Sequence, residues 1–130
     1  MKFFADIKED KVKFFNPLSL AFVGDAVFTL YAREKVASLT DTSAGQLHIQ
    51  ATKIVCAKAQ ALLAEKMLPL LTEEEVGVFR RAKNSKHMTA AKNANPEEYA
   101  NATGVEAVIG YLYLSGKNDR IKELLEKTEA

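Results

Sequence analysis

Apolar residues recur along this chain three and four positions apart, and the polar residues between them mark where helices open and close. NPLSLAFVGDAVFTLYAREKV starts with an N-cap candidate, Asn16. Pro17 follows at the first helical position, where its missing N–H costs nothing. SAGQLHIQATKIVCAKAQALLAEKM is alanine-rich and carries Leu47, Ala51, Ile54 or Val55, Lys58 and Leu62 at helical intervals, as one helical stretch. LTEEEVGVFRRAKN opens with a capping box, Thr72 to Glu75. NPEEYANATGVEAVIGYLYLSG repeats the Asn-Pro opening at Asn95 and Pro96 and closes at Gly116. The tail KNDRIKELLEKTEA sets Ile121, Leu124 and Leu125 on one stripe. No segment sustains period-two alternation and no Asn-Gly or Asp-Gly hairpin turn occurs. The chain is expected to be all-α, with one irregular stretch near 84–95.

Composition fits one domain over residues 1–130: hydrophobic residues make up 48% of the chain, enough to build a core. The single cysteine, Cys56, excludes an internal disulfide and suits a reducing compartment. MKFFADIKEDKVKFF breaks its apolar run with charge almost at once, so it does not read as a signal segment. No apolar run approaches the ~20 residues that span a bilayer. A soluble cytoplasmic protein with no membrane partner is expected.

Two carboxylates interrupt this apolar pattern. From Leu18 to Ala32 the only charged residue is Asp25, about two turns inside its helix and too far in to cap it. Between Tyr99 and Lys117 the only charge is Glu106. A helix apolar all round is normally buried, and an unpaired buried carboxylate is costly. An internal salt bridge from one of the eighteen Lys and Arg would answer for Asp25. Thr103-Gly-Val-Glu106 matches a capping box, which would answer for Glu106. Side by side, the two would instead repel unless a cation joined them, and carboxylate oxygens with water are what Mg²⁺ prefers. No His or Cys cluster competes for a softer metal.

Net charge is only +1, but it is unevenly spread. Between Val76 and Pro96 there is no acid, while Arg80, Arg81, Lys83, Lys86 and Lys92 are all basic. Residues 42–64 also lack acids and carry His48, Lys53 and Lys58. A solvated basic loop is one explanation. A surface that contacts nucleic-acid phosphates is the other. RRAKNSKH has no interleaved aromatics, so it suits a duplex backbone better than a single-strand stacking platform.

The run Phe22-Val23-Gly24-Asp25-Ala26-Val27 resembles the signature helix of the ribonuclease III catalytic domain. The blocks LHIQATKIVCAKAQA, LTEEEVGVFRRAKNSK, KNANPEEY and ATGVEAVIGYLYLSG resemble its compact branch, Mini-ribonuclease III, over about residues 16–126. That branch has no double-stranded-RNA-binding domain. The resemblance implies a helical, homodimeric, Mg²⁺-dependent endonuclease that cleaves double-stranded RNA, typically in maturation of precursor 23S ribosomal RNA. Asp25 and Glu106 match the catalytic, metal-holding carboxylates. Ala21 and Thr103 stand where full-length ribonuclease III has two further acids, a reduction shared with the compact branch. Arg80, Arg81, Lys83, Lys86 and Lys92, with His48 and Lys58, would then grip the duplex. Phe22 and Phe28 are candidates for the dimer interface or the core. A non-catalytic RNA-binding module of this fold is the alternative, and help from a ribosomal protein is left open.

Overall fold

In the computed structural model, which describes residues 5–85 and 95–129, regular structure is entirely helical. A single turn, α1 (Glu9–Val12), precedes α2 (Pro17–Leu39), α3 (Ala44–Val55) and α4 (Ala57–Met67). A 3₁₀ turn at Leu68–Leu70 leads to α5 (Glu73–Lys83), then α6 (Pro96–Leu114) and α7 (Asn118–Thr128).

The ends of these helices follow local chemistry. Asn16 accepts a hydrogen bond from the Leu18 N–H at 2.8 Å, ahead of Pro17. Thr72 and Glu75 form both bonds of the capping box. Asn95 accepts from the N–H of Glu97 at 2.9 Å. Gly116, with φ of 76°, takes the left-handed turn after α6 and lets the Lys117 N–H reach the Leu112 carbonyl.

Helix α6 forms the middle of the core. It is buried almost all round, which explains why its sequence is apolar on every face. Helices α2, α4, α5 and α7 pack about it. Helix α2 buries a stripe of every fourth residue, Leu20, Gly24, Phe28, Ala32 and Val36, and meets α6 at Leu20 and Gly24. The two backbones touch. A Cβ at Gly24 would lie 1.6 Å from the Glu106 carbonyl oxygen, and one at Gly110 would lie 1.9 Å from that of Leu20. These pairings run 20 to 24 against 110 to 106, so the helices cross in opposite senses.

Two expectations change, and the choice left open for Phe28 is decided. The alanine-rich stretch is two helices, broken at Cys56, whose ψ of 156° is extended. The break lets Ala51 of α3 close a small cluster with Ala32 and Val36 of α2, while α4 packs on α6. Phe28 is 2% exposed and belongs to the core, so it offers no interface. Helix α2 is not buried all round either: Phe22 is 81% and Leu30 55% exposed.

Candidate active site

The glycine crossing positions two acids. Asp25 follows Gly24 on α2, and Glu106 is the residue whose carbonyl Gly24 touches on α6. Their carboxyl groups lie close enough for Asp25 to act on the ionisation of Glu106. Asp25 is exposed and Glu106 is half-buried. Burial of Asp25, expected from its apolar neighbours, is therefore wrong: it sits on the flank of α2 that also exposes Phe22 and Ala26. No Lys or Arg pairs with either acid among the described residues. The capping reading of Glu106 also fails. Thr103 lies well inside α6 and its hydroxyl donates to the Tyr99 carbonyl at 3.0 Å.

The local electrostatics are those of two like charges in one place. Burial first, then the hydrogen bond and the charge of Asp25, push the Glu106 carboxyl up to about 8, against the amide of Gln60, which favours its charged form. Among the described residues no group of three His, Cys, Asp or Glu gathers to hold a metal. The pair alone offers hard oxygen donors and an uncompensated field, which fits one hard divalent cation that keeps waters on its other positions. Ala21 and Thr103, each one turn before its acid, are buried, so the site is confined to its two carboxylates and the groups beside them.

Gln60 is the neighbour that the sequence pattern hides. On α4 it continues the stripe of Ala64 and Met67, four and seven residues on, and is only 3% exposed. An amide in an otherwise apolar stripe was the available signal.

The basic candidates divide. Arg80 and Arg81 are exposed in the last turn of α5, where they also favour that helix's negative end. Lys83 lies 3.3 Å from Glu97. This end of α5 is therefore beside the start of α6, about 13 Å along the axis from Glu106 at the helical rise. Lys86 and Lys92 lie outside the described residues. His48 is exposed on α3 and lines a groove of about 330 Å³ with Arg33, Val36 and Leu47. Lys58 is exposed near the start of α4.

The ribonuclease III domain family matches residues 18–117. A Mini-ribonuclease 3 from Enterococcus faecalis is 46% identical over 112 residues, 85% of this chain and 85% of that relative. Another from Brevibacillus brevis is 44% identical over 115 residues, 88% of this chain and 86% of the relative. A crystal structure of a Fusobacterium nucleatum protein superposes with a TM-score of 0.79 at 34% identity, over 85% of this chain and 90% of that one. A family match across the two helices that carry Asp25 and Glu106, with relatives this similar over most of their length, places the chain: it belongs to the ribonuclease III family, as an endoribonuclease of the Mini-ribonuclease 3 type.

Proposed function

We propose that this endoribonuclease cleaves double-stranded RNA with Mg²⁺, using Asp25 and Glu106, and that its task is maturation of precursor 23S ribosomal RNA in the cytoplasm. The observation that carries the reading is the pair of carboxylates held together at the glycine crossing, with no cation to balance them among the described residues. Bound between them, Mg²⁺ would supply Lewis acidity, lowering the pKa of a coordinated water and stabilising charge on the phosphoryl oxygens. Asp25 presents its oxygens from the open side. Glu106, in its charged form, would hold the cation from the half-buried side, where burial limits the water around it. In-line attack on the phosphodiester would leave 5′-phosphate and 3′-hydroxyl ends.

Substrate positioning falls to the exposed cations. Arg80 and Arg81, with Lys83, Lys86 and Lys92, contact phosphates across the shallow minor groove of A-form RNA, and His48 and Lys58 extend the contact. Two strands need two sites, which a two-fold dimer provides. Phe22, Ala26 and Leu30 form an exposed stripe on α2 at four-residue spacing, next to Asp25, and supply an apolar face for the second copy.

The test is cleavage of long double-stranded RNA and of a precursor ribosomal stem, with Mg²⁺ or chelator, by the native chain and by Asp25→Asn. Mg²⁺-dependent cutting that the variant loses while still binding RNA is the expected result. Equal cutting by both, or cutting in chelator, refutes the assignment.

A further inference from the structure

We infer that the groove between α2 and α3 is a phosphate subsite for the RNA, in which Arg33 and His48 together hold one backbone phosphate. The inference rests on the proposed cleavage of double-stranded RNA at Asp25 and Glu106. It adds Arg33, which the charge pattern hides because Glu34 follows it directly.

Two helices build the groove. Helices α2 and α3 close on each other at Ala32, Val36 and Ala51. Beyond that cluster, toward the end of α2 and the start of α3, they leave an open groove of about 330 Å³. Val36, Ala37, Ala44 and Leu47 are its apolar lining, and Arg33 and His48 are its polar groups. No acid lines it. Lys35, Lys83, Lys117, Arg120 and Lys127 each lie beside a carboxylate, whereas Arg33 has no ion-pair partner among the described residues. A guanidinium presents its donors in a fixed fork that matches phosphate oxygens, and an imidazole adds an N–H. Ala44 is the first residue of α3, so the positive end of that helix adds to the field there.

The position of the groove selects RNA as its occupant. Arg33 stands eight residues beyond Asp25 on the same helix, about 12 Å of rise and less than a quarter turn round. Both side chains are exposed. A duplex laid along this flank of α2 with one phosphate at Asp25 brings another within reach of Arg33. His48 meets it from α3, on the other side of the groove. With an apolar lining and two basic groups, the subsite holds the backbone by charge and reads no bases.

The experiment uses the full chain and a defined RNA duplex, with binding measured in chelator. Phosphates on both sides of the cut are replaced one at a time by uncharged methylphosphonates. Arg33→Gln should bind the unmodified duplex more weakly, with a log–log salt slope smaller by about one. At one position where the native chain suffers from the uncharged linkage, the variant should be indifferent to it. His48→Gln should lose sensitivity at that same position. The double variant should lose less affinity than the product of the two single losses, because one phosphate is shared. Arg33→Lys, which keeps the charge and removes the fork, should keep the native slope at reduced affinity. A native slope and an unchanged scan in Arg33→Gln overturn the subsite, and so do sensitivities lost at two different positions. A change in sedimenting mass on Arg33→Gln, with native circular dichroism, also overturns it, by placing Arg33 between copies of the chain. If the native chain cuts the duplex with Mg²⁺ while these variants behave like it, only the subsite is wrong. If the native chain neither binds nor cuts the duplex, the reading beneath is wrong and the subsite falls with it.

Discussion

Replacing Gly24 with alanine sets two effects against each other, and the structure says which wins. In a solvent-exposed helix the change favours folding by about 1 kcal/mol, because alanine is the better helix former. Here the added Cβ would stand 1.6 Å from the Glu106 carbonyl oxygen, 2.6 Å from its carbon and 2.8 Å from the Gly110 nitrogen. Real Cβ atoms essentially never come closer than 3.0 Å to another heavy atom. All three neighbours are main chain, so no rotamer change relieves the clash, and α2 and α6 must part by more than an ångström. Overpacking of ordinary cores costs about 1–3 kcal/mol, and a clash of backbones belongs at the top of that range or above it. We expect a net loss of about 3 kcal/mol, which for a chain of this size lowers the melting temperature by about 10–15 °C. Mn²⁺ affinity should fall with it, since the same separation moves Asp25 away from Glu106. Urea unfolding and metal titration measure the two effects. Gly77→Ala is the control: its Cβ meets only the end of the flexible Arg81 side chain, at 3.3 Å, and stability should hold or rise by up to about 1 kcal/mol. A Gly24→Ala chain as stable as the native one would refute the crossing.

In chelator, stability should fall as pH rises from 5 to 8. Folding lifts the Glu106 carboxyl from 4.5 to about 8, so the native state holds more protons than the unfolded one across that window. We expect a decline of about 1–3 kcal/mol in urea unfolding, well short of full conversion because the open face around Asp25 screens the pair. Asp25→Asn should weaken the trend without abolishing it, because burial, the larger cause, remains, and a stability that rises with pH in the native chain would contradict it. Arg120→Met should destabilise the fold by about 2–4 kcal/mol, since Arg120 holds the buried Glu75 through bonds of 3.0 and 2.8 Å and also bonds the Leu70 carbonyl at 2.8 Å. Adding Glu75→Met should restore part of the loss, and a double variant weaker than the single one would argue against a stranded charge. Neutralising Arg80 and Arg81 to Gln should reduce the salt dependence of duplex binding by about one unit of log–log slope per lost contact while leaving kcat unchanged. An unaltered slope would remove both from the RNA surface.

Most helix ends were legible because each has a local chemical signal: Asn16 with Pro17, Thr72 with Glu75, Asn95 with Pro96, and Gly116 in its left-handed turn. The break at Cys56 was not, because no Gly or Pro marks it. The Gln60 amide bridges it, reaching back five residues to the Val55 carbonyl, a bond that no periodicity records. The two acids stood out as lone charges in apolar runs. Their exposure did not, because an apolar run looks the same whether it faces a core or an open surface, and Phe22 and Leu30 show that α2 faces both. The Thr103–Glu106 spacing imitated a cap, since four residues cannot say whether a helix begins there or passes through. The meeting of Asp25 and Glu106 lay in the glycines, whose purpose becomes visible only when two distant helices are laid together.

That meeting has a mechanical consequence. Side-chain packing is compliant: rotamers shift and neighbours relax when a methyl group is gained or lost. At Gly24 and Gly110 there is no side chain to relax, and peptide unit bears directly on peptide unit. The spacing of the two carboxylates therefore inherits the stiffness of the main chain rather than the softness of a core. Leu20, Phe28, Val108 or Leu112 can drift in size with the gap between the acids almost undisturbed, whereas a single carbon atom at either glycine acts as a wedge.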